Sequence, residues 1–257
     1  METRPKNSRT KVRRWLLAAF AVVILVTLFW GIRWATYARP PLPEAAAALE
    51  SDDQVTVTHD PWLTFSPTGN PPKTGFIFYP GGRVDPKGYA SLMREIASEG
   101  YLVVVPEMPI NMAVFNPDIA DEIFAYYPEI QNWVIGGHSV GGTMAAQYAG
   151  DHPEIIDGLV IWASYPAGSA DISNLDMPVA SIYGSRDPGV NDASVDKRKP
   201  LLPEDTLYIR IEGGDHHQFG SYEVNPDERH ATISRDSQHG QILRGTLEIL
   251  REISLGE

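Results

Sequence analysis

No cysteine occurs among the 257 residues. That absence excludes disulfides, a thiolate nucleophile and cysteine metal ligation together, because each needs a sulfur of the right redox or protonation state. Internal repeats and low-complexity tracts are missing too, and the 21 prolines and 22 glycines follow no triplet period, so they read as turns. Positive charge is scarce: 21 Lys and Arg stand against 33 Asp and Glu, a formal net charge of −12. An acidic body repels phosphate backbones, which speaks against nucleic-acid binding. What is present, 43% hydrophobic residues over this length, suffices to bury one substantial core.

The scarce positive charge is unevenly placed. Arg4, Lys6, Arg9, Lys11, Arg13 and Arg14 precede the first apolar run, where only Glu2 opposes them. Residues 15–32 (WLLAAFAVVILVTLFWGI) then carry no charge, and at about 1.5 Å per helical residue such a run nearly crosses a hydrocarbon core of about 30 Å. Trp30, Trp34 and Tyr37 supply an interfacial aromatic belt. A cleaved signal peptide has an apolar run of only about 7 to 15 residues and a small-x-small cleavage site, which Thr36-Tyr37-Ala38 does not provide. The expectation is a basic cytoplasmic tail at 1–14, an uncleaved transmembrane signal anchor at 15–36, and an extracytoplasmic body. Arg39-Pro40-Pro41-Leu42-Pro43 cannot continue a helix, so 37–50 reads as a stiff spacer and the folded domain as 51–257.

Within that domain, residues 54–58 alternate and 62–65 follow a proline, as a short antiparallel pair at a sheet edge would. Apolar runs of buried-strand length follow at 75–79, 101–105, 133–136, 159–163 and 179–183. They alternate with segments of helical spacing such as Tyr89, Leu92, Met93, Ile96 and Ala97, and residues 238–253 form a last amphipathic helix. Strand and helix in alternation predict an α/β fold, a mostly parallel sheet with helices on both faces. The short stretch between 163 and 177 leaves no room for a large helical lid.

Gly137-His138-Ser139-Val140-Gly141 lies between a buried strand and the helical stretch at 143–149. Strand, sharp turn and helix are the context a nucleophile elbow requires, with glycines where a Cβ would collide with the neighbouring elements. A serine hydroxyl becomes a useful nucleophile only when a base takes its proton and an acid orients that base. Asp187 lies just past the strand at 179–183, where a loop carboxylate reaches a histidine; Asp176 and Asp192 compete with it. Of seven histidines, His59, His138, His152, His230 and His239 fall in the edge pair, the elbow, a helix end and late polar segments. His216 and His217 follow a strand by the loop containing Gly213-Gly214. Acyl transfer also needs donors aimed at the developing oxyanion. The Val140 N–H supplies one, and Tyr79-Pro80-Gly81-Gly82-Arg83 the other, at Gly82, with Gly81 and Arg83 adjacent.

The segments FYPGGRVDP, VVVPEMPINMAVF, WVIGGHSVGGTMAAQYA, GLVIWASYP, SIYGSRD and IEGGDHHQFG together resemble the bacterial α/β-hydrolase family often called fold-5, whose members are similar to carboxylesterases and dienelactone hydrolases. The resemblance covers residues 54–253 and implies the α/β-hydrolase fold, with Ser139 as nucleophile, Asp187 as acid and His216 as base. The last assignment comes from the family's Gly-Gly-Asn-His-x-Gln-Phe-Gly. This chain departs from the family in two places: Asp215 replaces the usual Asn, and Pro188 follows the acid where Gly is common. The dienelactone branch typically uses cysteine, which this chain lacks. The function so implied is that of a serine hydrolase cleaving a small-molecule ester, lactone or thioester through an acyl-enzyme, with no metal or organic cofactor. The alternatives on the same fold are a membrane-tethered binding module that leaves the triad unused, or an acyltransferase.

Overall fold

The apolar runs build a single sheet. The computed structural model describes residues 8–255, so Arg4 and Lys6 of the basic tail lie outside the described residues. Along the chain two units separate, one ending at Tyr37 and the other beginning at Ala38. The first is the helix α1 (Ser8–Ala35), in which Val12–Ala35, 24 residues containing an 18-residue stretch of mean hydropathy 2.5, is long and apolar enough to cross a membrane.

The second unit runs through α2 (Pro43–Ala47), β1 (Val55–Thr58), β2 (Leu63–Pro67), β3 (Thr74–Tyr79), α3 (Ala90–Ser98), β4 (Leu102–Val105), α4 (Ile119–Tyr126) and β5 (Asn132–His138). It continues through α5 (Val140–Asp151), β6 (Gly158–Trp162), β7 (Val179–Gly184), α6 (Asp192–Arg198), β8 (Leu207–Ile211) and α7 (Arg235–Leu255). The strands are ordered β1-β2-β4-β3-β5-β6-β7-β8. The edge pair β1–β2 is antiparallel and joins β4 antiparallel, whereas β4 through β8 run parallel.

Side chains alternate across each strand, so a strand buried on both faces feeds two cores. In β3, Phe76 and Phe78 point to the core that holds Leu92, Met93 and Ile96 of α3 and Ile242, Ile249 and Leu250 of α7. Ile77 and Tyr79 point to the other, with Ile119 and Ile123 of α4 and Ala145, Ala146 and Ala149 of α5. The small residues of α5 let that helix approach the sheet closely.

The chain leaves β3 for β4 on one side and returns through α4 to β5 on the other. The carboxyl ends of β3 and β5 therefore mark a switch in winding direction, where loops diverge and open a crevice. Their register sets Tyr79 opposite Gly137, so the loops after both strands emerge side by side. At the far end, Gly184 of β7 pairs with Ile211 of β8, which aligns the loops leaving those two strands.

Helix α1 starts at Ser8, before the expected anchor at 15–36, and α5 at Val140 rather than 143; two further boundaries differ for reasons the hydrogen bonds show. The compact unit starts at Ala38 rather than near Ser51, because residues 39–42 hydrogen-bond to the body: Arg39 N–H to the Arg83 carbonyl (2.7 Å) and Leu42 N–H to the Ser221 carbonyl (2.9 Å). The final helix begins at Arg235, not 238, since Ser234 accepts the Ser237 N–H through its hydroxyl (3.2 Å) and caps a polar first turn with no apolar periodicity. Residues 163–178 contain no helix, in keeping with the absence of a lid there.

Candidate active site

Ser139 stands between β5 and α5 with φ 53° and ψ −124°. A positive φ on a residue with a Cβ is strained and is tolerated where the surroundings over-determine it. Here the Ser139 N–H donates to the Trp162 carbonyl (3.0 Å), and its own carbonyl accepts from the Thr143 N–H (3.1 Å) and the Ser164 hydroxyl (2.6 Å). The flanking glycines are required by contact: a Cβ on Gly137 would come within 2.6 Å of the Gly141 carbonyl carbon, and one on Gly141 would run into the Tyr79 carbonyl. The turn leaves the serine half-buried at the first turn of α5.

Asp187 lies just beyond β7 and is 3% exposed. Its Oδ1 accepts the N–H groups of Gly189 and Val190, both at 2.8 Å, and its Oδ2 lies 2.6 Å from His216 Nδ1. Burial pushes the carboxyl up, but the hydrogen bond and charge of His216 together with the two backbone donors outweigh it and hold Asp187 below the usual carboxylate value. Of its rivals, Asp192 is engaged with Arg210 at 2.7 Å, and Asp176 is exposed.

His217, adjacent to His216, points elsewhere. Its Nδ1 lies 3.4 Å from the Tyr222 hydroxyl, and its ring is perpendicular to that of His216. Burial, followed by the neighbouring His216 and Arg39, lowers its basicity. His152 stacks on Tyr148, while His59 and His230 are exposed.

In the loop after β3, the Gly81 N–H donates to the Tyr89 hydroxyl (3.0 Å) and the Arg83 N–H to the Asn111 carbonyl (2.8 Å). Gly82 lies between these two engaged donors, beside the side chains of Val140 and Met112. The Val140 N–H opens α5, where a helical N–H has no carbonyl of its own helix to meet. Gly82, Ser139, His216, His217, Tyr222 and Arg39 line one cavity of about 100 Å³.

Three of these features were not visible in the sequence. Arg39 belongs to the expected spacer, Tyr89 to a helical apolar series, and Tyr222 to no motif in the sequence. The departure at Asp215 also has a structural reason. Its buried carboxylate accepts four backbone N–H groups, from His217 (3.0 Å) and Gln218 (2.9 Å) on one oxygen and from His230 (2.9 Å) and Ala231 (3.1 Å) on the other. An asparagine would turn an NH₂ toward two donors.

The profile described as "Alpha/beta hydrolase family" matches residues 75–240. The chain belongs to the alpha/beta hydrolase family. Among solved structures of this fold, Thermogutta terrifontis esterase 2 phosphonylated by cyclosarin superposes with a TM-score of 0.58 at 13% identity, covering 78% of this chain and 94% of that one. Est1E of Butyrivibrio proteoclasticus with ferulic acid bound gives 0.57 at 12% identity, covering 76% and 98%. At these identities the likeness is one of fold. A stretch of 63 residues is 41% identical to the pimeloyl-[acyl-carrier protein] methyl ester esterase of Photorhabdus laumondii, covering 24% of this alpha/beta hydrolase and 22% of that protein.

Proposed function

We propose that this alpha/beta hydrolase is a serine esterase, with Ser139 as nucleophile, His216 as base and Asp187 as the acid that orients it. The 2.6 Å contact between His216 Nδ1 and a buried, ionised Asp187 carries the reading, because a carboxylate there fixes the imidazole with Nδ1 protonated and leaves Nε2 free to accept a proton. Ser139 Oγ attacks the carbonyl carbon as its proton passes to His216 Nε2, and the carbonyl electron pair moves onto oxygen, facing the N–H groups of Gly82 and Val140. Collapse breaks the bond to the leaving alcohol, which departs with the proton from His216. Water, deprotonated by the same nitrogen, then attacks the acyl-serine ester; collapse breaks the bond to Ser139 Oγ, which takes the proton back from His216, and the acid is released. The methyl ester named for the Photorhabdus relative and the phosphonylated state of the Thermogutta enzyme both support ester chemistry.

The test uses the full chain in detergent. A fluorophosphonate is expected to label it, and Ser139→Ala to abolish labelling and lower the turnover of aryl esters at least about 10³-fold. Equal labelling of the variant would remove Ser139 from the mechanism. Stepping the acyl length of the aryl esters reads the substrate preference.

The uncharged run at 15–32 within α1 and the six basic residues before that run support a tether with the N-terminus in the cytoplasm and the body from Ala38 outside. Alkaline phosphatase fused to the C-terminus should then be active; an inactive fusion alongside a fluorescent green fluorescent protein fusion would reverse the orientation.

A further inference from the structure

His138, immediately before the nucleophile, and Tyr89, at the start of α3, are each 1% exposed. Their polar atoms join two loops that the sheet keeps apart, since β3 and β8 are separated by three strands. The Tyr89 hydroxyl lies 3.0 Å from the Gly81 nitrogen and 2.9 Å from His138 Nδ1, and His138 Nε2 lies 3.0 Å from the carbonyl of His216.

Each proton in this series follows from its neighbours. A backbone N–H only donates, so Tyr89 accepts from Gly81. A carbonyl only accepts, so His138 Nε2 must carry hydrogen toward His216. A neutral imidazole then presents a lone pair at Nδ1, and the Tyr89 hydroxyl donates to it. Burial, followed by the proximity of His216 and His217, holds His138 well below its ordinary pKa, and burial raises the Tyr89 phenol, so both stay uncharged. The His138 ring also stacks on Phe219 of the base loop, with the planes 13° apart. With both nitrogens engaged, His138 is not available for proton transfer.

We infer that Tyr89 and His138 are positioning residues: one directed hydrogen-bond chain, from Gly81 N–H through Tyr89 and His138 to the His216 carbonyl, sets the oxyanion loop and the base at a fixed separation across the nucleophile turn. The inference rests on the reading of His216 as base and Gly82 as oxyanion donor. Its consequence is kinetic, because a misplacement of about 1 Å between catalytic groups costs about 10²-fold in rate.

Steady-state kinetics on the full chain in detergent supply the test. Tyr89→Phe removes one oxygen and is expected to lower kcat about 10- to 100-fold with KM changed less than about threefold. His138→Phe keeps the stacking and should lower kcat at least as much, while His138→Gln, which offers both an N–H and a carbonyl, should recover part of the loss. Combining Tyr89→Phe with His138→Phe should cost no more than His138→Phe alone, since the two interrupt one chain. In wild-type protein labelled with ¹⁵N-histidine, His138 should be neutral with its proton on Nε2 at pH 7, a signature independent of any variant's folding. A Tyr89→Phe kcat within about twofold of wild type, or a His138 proton on Nδ1, overturns the proposal. Full activity in Ser139→Ala or His216→Ala would instead overturn the functional reading beneath it.

Discussion

Arg39 holds Glu228 through both of its terminal guanidinium nitrogens, at 3.0 and 2.7 Å, from a position two residues past the end of the apolar unit. The backbone around it is stitched on both sides. Asp85 N–H donates to the Arg39 carbonyl (3.1 Å) and Glu223 N–H to the Pro40 carbonyl (2.9 Å), which ties the loop after β3 to the loop after the histidines. This strap walls the cavity that holds Ser139 and His216, the proposed nucleophile and base, so its removal should be felt in activity. A fragment of residues 51–257 is expected to lose at least about tenfold in turnover relative to one of residues 38–257, and to melt lower. Arg39→Ala, which keeps the backbone bonds, should cost about 1 kcal/mol or less, because the pair is partly exposed. Equal turnover by the two fragments, measured on the same aryl ester, would show that the strap is dispensable.

A second prediction concerns acid. His239 is 8% exposed in α7, its Nε2 has no partner among the described residues, and burial together with the Arg235 charge lowers its pKa to about 4. A histidine whose folded pKa lies below its unfolded value of about 6.5 leaves the unfolded chain binding more protons between those two values. Its stabilisation is therefore complete above about pH 6.5 and is lost as the pH falls toward 4. Between pH 7 and pH 5 the loss from this group is about 2 kcal/mol, and the downward shift of His138 adds in the same direction. Urea midpoints of wild type and His239→Leu at the two pH values check this. The pH difference should shrink in the variant; an unchanged difference would remove His239 from the account.

The fold was legible because its signals are local and periodic. The all-buried β3 and β4 read as continuous apolar runs, and the edge pair β1–β2 as alternation interrupted by a proline. The turn at Ser139 was legible because glycines at fixed offsets are demanded by contacts inside one strand-turn-helix unit. What escaped were contacts between residues far apart in the chain. The Arg39–Glu228 pair spans 189 residues, and nothing in Arg-Pro-Pro distinguishes a docked strap from a free spacer. Tyr89 announces itself as one more apolar position on a helix face, and only the fold brings its hydroxyl to His138. The strain at Ile110 and Asn111, with φ of 46° and 56°, also has no sequence signature, since a β-branched residue is among the last expected there. Its product is the Asn111 carbonyl that engages Arg83 N–H.

The last prediction separates the two adjacent histidines. Sequence alone left them equivalent, with only the family resemblance favouring His216, but their surroundings differ in kind. His216 Nδ1 meets a buried carboxylate at 2.6 Å, whereas His217 Nδ1 meets a phenol at 3.4 Å. A base that cycles through its charged form needs the first environment, because the imidazolium is stabilised by the carboxylate; a neutral phenol gives no such compensation. Removing the imidazole in His216→Ala should therefore lower kcat about 10³-fold or more, and Asp187→Asn about 10⁴-fold, by inverting the tautomer. His217→Ala should lower it about tenfold or less, through the cavity wall it shares with Tyr222. Asp187 is held below the ordinary carboxylate value by His216 and its two backbone donors, so its own protonation should not enter the activity profile near neutral pH. Full pH–rate profiles of the three variants on one aryl ester decide the matter. If His217→Ala is the inactive protein and His216→Ala keeps its turnover and its acid limb, the base has been assigned to the wrong residue.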